Sequence, residues 1–140
     1  MEVVELDAVV VAWLAGRGLG LKASPAPGAN LFRGAVMPSG NGVPARAVFV
    51  LFTGGDPVTP MIGARSGLTD DYLQVRVRYS AGGYRDGQLL AQSVHRALDL
   101  APLPIAGLLR CRASLAAIGE NEDGQPEWSI NVRIVAHVGL

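Results

Sequence analysis

The sequence predicts an α+β fold: a mostly antiparallel sheet with two helices packed on one face. Three observations carry that expectation. Along the chain the order reads helix, strands, helix, strands. The strands are largely one-sided, apolar on one phase and polar on the other, as in a sheet with one solvated face. They also lie close together in sequence, which favours antiparallel neighbours over crossovers.

The elements follow in order. Leu6, Val9, Val10, Trp13 and Leu14 recur at helical spacing, with Glu2, Glu5 and Asp7 near the helix start and Gly16, Gly18 and Gly20 as stops. The run Val9-Val10-Val11 suits a strand equally well. Lys22 to Asn30 is a connector, and Leu31 to Met37 a short strand. Pro38 to Pro44 is dense in turn residues. Ala45 to Phe52 is apolar except for Arg46, as in a strand covered on both faces. Gly54 to Asp71, with two prolines and four glycines, reads as a long loop. In Tyr72 to Ser80, Leu73, Val75, Val77 and Tyr79 alternate with polar residues.

A second helix spans Tyr84 to Leu100, with Tyr84, Gly87, Ala91, Val94 and Leu98 on one stripe; Pro102 and Pro104 prevent its continuation. Leu108 to Ala117 is a strand with Leu109, Cys111, Ala113 and Leu115 inward. Gly119 to Pro126 is a turn. Glu127 to Val138 closes the chain, with Trp128, Ile130, Val132, Ile134, Ala136 and Val138 on one side. Trp128, Ile130, Val132 and Ile134 are expected to pack on Val75, Val77 and the Val94/Leu98 face of the second helix.

Composition narrows the function classes. Of 140 residues, 49% are hydrophobic and 17% charged, and the net charge is zero, which excludes a disordered chain. Zero net charge also argues against a generic nucleic-acid binder. The single Cys111 excludes an internal disulfide and a Cys-rich zinc site. The apolar run Ala8–Ala15 is far short of the roughly 20 residues a membrane span needs, and it lacks the flanks of a signal peptide. The expectation is a soluble, intracellularly made, single-domain protein.

No catalytic, cofactor-binding or metal-ligating set emerges. Gly16-Arg17-Gly18-Leu19-Gly20 follows a helix, whereas a phosphate cradle precedes one, so it reads as a helix stop. His95 and His137 lack metal-ligand spacing, and Cys111 reads as a small core residue. Glu120-Asn121-Glu122-Asp123-Gly124 lacks the ligand spacing of a calcium loop and reads as a hairpin turn. One pattern points outward. Arg76, Arg78, Arg110, Arg112 and Arg133 fall on the non-core phase of their strands. They form either a solvated face with paired acids from elsewhere in the chain or, since guanidinium pairs bidentately with carboxylate, a surface for a neighbouring subunit.

The order of motifs resembles a known family. Asn30-Leu31-Phe32-Arg33-Gly34 and Met37-Pro38 come first, and Phe52-Thr53-Gly54-Gly55 follows the hydrophobic strand. Leu73-Gln74-Val75-Arg76-Val77-Arg78 precedes the Tyr84 helix, which ends in Ala97-Leu98. The stretch Gly119 to Gly124, then Trp128-Ser129-Ile130-Asn131, closes the pattern. In this order the chain resembles the tail terminator proteins of long-tailed bacteriophages, also described as minor capsid proteins. The resemblance implies a single tail-terminator-like domain over residues 1–140. It also implies a hexameric ring that caps the finished tail tube, stops its polymerisation and offers a surface for head–tail joining. The implied partners are other copies of the chain, the tail tube protein, and a head connector or head-closure protein. DNA passes through without being read, and no enzyme activity, cofactor or membrane is involved. The implied location is the head–tail junction of a virion assembled in the host cytoplasm.

In that setting Arg76, Arg78, Arg110, Arg112 and Arg133 are the candidate subunit interface. Val58, Met61, Ile62 and Leu68, on the Gly54–Asp71 loop, are the candidate docking arm for the tail tube. The competing readings are another neck component such as a head-closure protein, a small enzyme using Cys111 and a histidine, and a ligand-binding module with a pocket on the apolar sheet.

Overall fold

The computed structural model describes residues 4–34, 44–61 and 65–139. Helix α1 spans Leu6–Ala15. Strands β1 (Leu31–Arg33), β2 (Ala47–Gly55), β3 (Thr59–Pro60) and β4 (Ser66–Arg78) follow. Helix α2 is Tyr84–Leu98, and β5 (Leu108–Glu120) and β6 (Pro126–Gly139) complete the order. The sheet runs β1-β2-β4-β6-β5, with β3 beside the start of β4. Among the described strands β1 and β2 pair in parallel and the other pairs are antiparallel, and an isolated parallel bridge joins Ala23 to Leu31. This is the expected α+β architecture.

The helices share one face of the sheet. Val10 and Leu14 of α1 and Leu90, Ala91, Val94 and Leu98 of α2 are buried with Val48, Val50, Val75, Val77, Ile130, Val132 and Ile134 in one cluster. The Val9–Val11 run stays helical because Val10 and Leu14, four apart, meet this core. Trp13 fixes the two helices to each other, its indole N–H donating to Ala97 O at 2.8 Å. That bond satisfies a carbonyl in the last turn of α2, where intrahelical donors run out.

Two expectations need correction. The eighteen-residue loop assigned to Gly54–Asp71 is largely strand: β2 continues to Gly55, β4 begins at Ser66, and β3 pairs Thr59 with Leu68 and Pro60 with Gly67. Pro60 is tolerated because β3 is a two-residue edge strand. Leu109 does not point inward. A β-bulge between Leu108 and Arg110 inserts it as the extra residue, and it is 61% exposed.

Smaller differences lie elsewhere. The strand expected over Leu31–Met37 ends at Arg33. Residues 35–37 of it, and most of the turn expected from Pro38, fall outside the described residues. The hairpin turn between β5 and β6 is held by Asn121, whose Oδ1 accepts from the N–H groups of Asp123 and Gln125, both at 3.0 Å.

Candidate interaction face

With both helices on one side, the other side of the sheet is the place where outward side chains gather. Strand register puts Asp70, Tyr72, Gln74, Arg76 and Arg78 of β4 opposite Val135, Arg133, Asn131, Ser129 and Glu127 of β6. Arg110 and Arg112 of β5 lie next to Val135 and Arg133 in turn. The five arginines therefore do share one sheet face, but their surroundings differ.

Arg133 is paired within its own chain. Its Nε donates to Asp70 Oδ1 at 2.8 Å, and a second nitrogen reaches Oδ2. The guanidinium holds the Asp70 carboxyl below the usual carboxylate range, and Asp70 in turn raises Arg133. Arg112 donates its Nε to Asp99 Oδ1 at 2.9 Å, and the same oxygen accepts the Ala113 N–H at 3.0 Å. Those two donors, the backbone N–H foremost, lower the Asp99 carboxyl. Arg78 is almost buried. It donates to the carbonyls of Ala45 and Pro44 and lies 5.2 Å over the Phe49 ring. Arg76 donates to Gln74 Oε1 at 3.0 Å. Arg110 is exposed, and among the described residues neither Arg76 nor Arg110 forms an ion pair.

Asp70 and Asp99 are the acids from elsewhere that one reading of the arginine phase allows, but the sequence pattern does not identify them. Asp70 lies in the stretch whose glycines and prolines read as a loop, so from sequence the outward phase of β4 is legible only from Tyr72. Asp99 comes from the end of α2, across the edge strand β5, which strand phase alone does not reveal. Nearby, the Tyr72 hydroxyl donates to Asp56 Oδ2 at 2.8 Å, and that carboxylate raises the phenol above its ordinary value. These groups border a shallow depression of about 440 Å³ lined by Thr53, Tyr72, Arg112, Ser114, Asn131 and Arg133.

Beyond the end of this face, the starts of β4 and β3 and the end of β6 form a paired arm. Ser66 lies opposite Gly139 and Leu68 opposite His137. Val58 and Leu68 are half-buried on it, and Met61 is 43% exposed. Ile62 lies outside the described residues.

The remaining candidate reactive groups among the described residues, Cys111 and His95, are engaged within the fold. Cys111 is buried, its thiol donates to Leu98 O at 3.2 Å, and burial pushes its pKa up to about 11. That leaves little thiolate at neutral pH, the form a nucleophile needs. His95 is held by Ala113 O at 2.9 Å. Among the described residues no group of three or more His, Cys, Asp or Glu is placed to hold a metal, and no helix is long and apolar enough to cross a membrane.

Fold and face together define a small α+β protein whose sheet is covered by helices on one side and carries polar, arginine-rich strands on the other. The chain belongs to the bacteriophage tail terminator protein family, whose model matches residues 13–138. Family membership makes it a structural tail protein of a phage-type virion. Its fold is similar to that of a chain in the solved virion of a native gene transfer agent particle, at TM-score 0.64 and 17% identity over 94% of each chain. No curated protein sequence matches it.

Proposed function

We propose that the protein is the terminator itself: a hexameric ring that caps the completed tail tube, stops its polymerisation and presents the surface to which a head connector or head-closure protein attaches. The observation that carries this reading is the family match over nearly the whole chain, from residue 13 to 138. The geometry supports it in two ways. A sheet that carries no helix on one face among the described residues can meet other chains there without unfolding anything. The arm built from β3 and the ends of β4 and β6 reaches past the sheet body, where it can engage the tube or an adjacent subunit.

On this reading the role is non-enzymatic, and DNA crosses the ring at the head–tail junction without base contacts. Ring closure requires a heterologous contact repeated around an axis. Arg110 and Arg76, which form no ion pair among the described residues, are the arginines best placed to pair with a neighbour. Arg112, Arg133 and Arg78 serve first inside their own subunit. The test is assembly. Tails built without the protein should be overlong and headless in electron micrographs, and adding it back should restore uniform length and head attachment. Tails of normal length in its absence would sink the proposal.

A further inference from the structure

The two outer edges of the sheet are satisfied only in part. On β5, Leu100 N–H donates to Cys111 O at 2.8 Å, Ala113 N–H to Asp99 Oδ1 at 3.0 Å, and Ala113 O meets His95 Nε2 at 2.9 Å. The end of α2 thus closes this edge over residues 111–113. Those bonds also fix the phase, because odd-numbered residues of β5 turn their backbone groups away from β6. Antiparallel pairing alternates, so Leu115 and Ala117 do the same. Among the described residues nothing accepts or donates to them there.

Native edges are usually blunted by charge, proline or a covering segment. Leu115-Ala116-Ala117-Ile118-Gly119 has none of these; a β-bulge with Ile118 as its extra residue limits the regular open edge to Leu115–Ala117, and Ile118 is 48% exposed.

The opposite edge is the extended segment Leu21–Ser24 beside β1. Leu31 N–H donates to Lys22 O at 3.0 Å and Ser24 N–H to Leu31 O at 2.9 Å, which turns the Ala23 N–H away from the sheet. Strand register sets the two edges at one level. Ala117, Trp128, Val77, Val48, Leu31 and Ala23 form a single row across the sheet. The segment runs parallel to β1 and β2, and three antiparallel pairings then separate it from β5, so a neighbour's Ala23 segment would meet β5 antiparallel. Charge agrees as well. Glu120, Glu122 and Asp123 follow the open half of β5, Lys22 directly precedes Ala23 and Arg17, stacked on Trp13, lies further upstream, and none of the five forms an ion pair among the described residues.

We propose that copies of this chain join by continuing the sheet, the open Leu115–Ala117 edge of one copy docking on the Ala23 edge of the next. The acidic β5–β6 hairpin of the first then faces Arg17 and Lys22 of the second. The contact is heterologous, as a ring requires, and it rests on the ring reading above.

The test mixes two single variants, Ala117→Cys and Ala23→Cys, under mild oxidation; the native Cys111 is buried and does not compete. A disulfide-linked dimer that appears only in the mixture is the expected result. Ala117→Pro removes the outward N–H and leaves the β6 pairing alone, so it should raise the concentration at which oligomers form about tenfold or more. Lys22→Glu should weaken the oligomer, and Glu120→Lys with Glu122→Lys should restore it. Self-linking of Ala117→Cys, or no mixed disulfide, overturns the proposal. If the wild type still forms a ring by native mass spectrometry, only the edge contact has failed. A wild type that forms no ring and caps no tails removes the ring reading too.

Discussion

Gly87 lies against Trp128 with no room for a side chain. A β-carbon on Gly87 would stand 2.6 Å from Cη2 and Cζ3 of the indole and 2.8 Å from Cβ of Tyr79. The glycine is therefore what lets α2 settle onto β6. Trp128, 3% exposed, fills the space under the helix, and the Tyr84 ring lies 5.5 Å from it.

Gly87→Ala is expected to destabilise the protein by about 1–3 kcal/mol, the usual range for overpacking a filled site. In an open helix interior the same change would instead stabilise, by roughly 0.5–1 kcal/mol. The two effects have opposite signs, so urea unfolding followed by tryptophan fluorescence decides between them. A gain in stability would mean that the helix can lift off Trp128 at little cost.

Leu100 is expected to behave in the opposite way. It has φ 60° immediately after the α2 C-cap and a side chain 68% exposed. A leucine held in the left-handed region costs about 1–2 kcal/mol, and glycine is the usual occupant of this place after a helix. Since little buried surface is lost, Leu100→Gly should raise stability by about 1 kcal/mol, read as a higher denaturation midpoint at unchanged slope. A lower midpoint would show that the exposed side chain stabilises the monomer.

How far the sequence could be read follows from the same particulars. Alternation in Leu73–Val77 and Trp128–Ala136 gave the sheet's inner face, since a period of two leaves one choice of side. The α2 stripe was legible in Val94 and Leu98, but Leu90 was missed. The Gly54–Asp71 stretch misled because its glycines and prolines are ordinarily turn residues, and nothing local reveals that β6 is long enough to pair with Ser66–Asp70. Asp70 was lost with that strand, and so was the partner of Arg133. Leu109 was misplaced because a bulge shifts phase without a sequence signature. The open edge of β5 depends on strand order, which single-strand patterns do not encode.

Acid should weaken the fold through Asp99 more than through Asp70. Both carboxyls titrate lower in the folded chain than in the unfolded one. Their contribution is therefore present above the unfolded pKa and is lost as pH falls through the folded value. Asp71 runs the other way: burial first, then Asp70, raises its carboxyl, so its ionisation opposes folding and its protonation offsets part of the loss. Both carboxylates pair with arginine at an exposed surface, where ion pairs contribute little. Asp99 also caps the Ala113 N–H. Thermal unfolding temperature should fall below about pH 4, and Asp99→Asn should flatten that fall. Parallel acid curves for variant and wild type would remove Asp99 as the cause.

The arm can be removed without touching the core, which makes its role separable from folding. Asp56 N–H donates to Asp70 O at 2.8 Å, so these residues already face each other across two strands. Replacing residues 57–69 by an Asn-Gly dipeptide leaves that pair flanking a two-residue loop, the length that a tight hairpin turn closes. The variant loses β3 and the first residues of β4 but keeps the buried rows from Leu73 to Val77. Leu108 still lies opposite Ala136, so the end of β6 keeps one neighbour. A cooperative unfolding transition is therefore expected, with a modest loss of stability. Tail capping should nevertheless fail, giving overlong or headless tails in the assembly assay. Met61→Asp supplies the finer test, since Met61 is 43% exposed and its substitution leaves the strand pairing intact. If Met61→Asp caps normally while the shortened arm does not, the arm acts through its backbone or through Val58 and Leu68. Normal tails from the shortened arm itself would exclude this segment from tube contact.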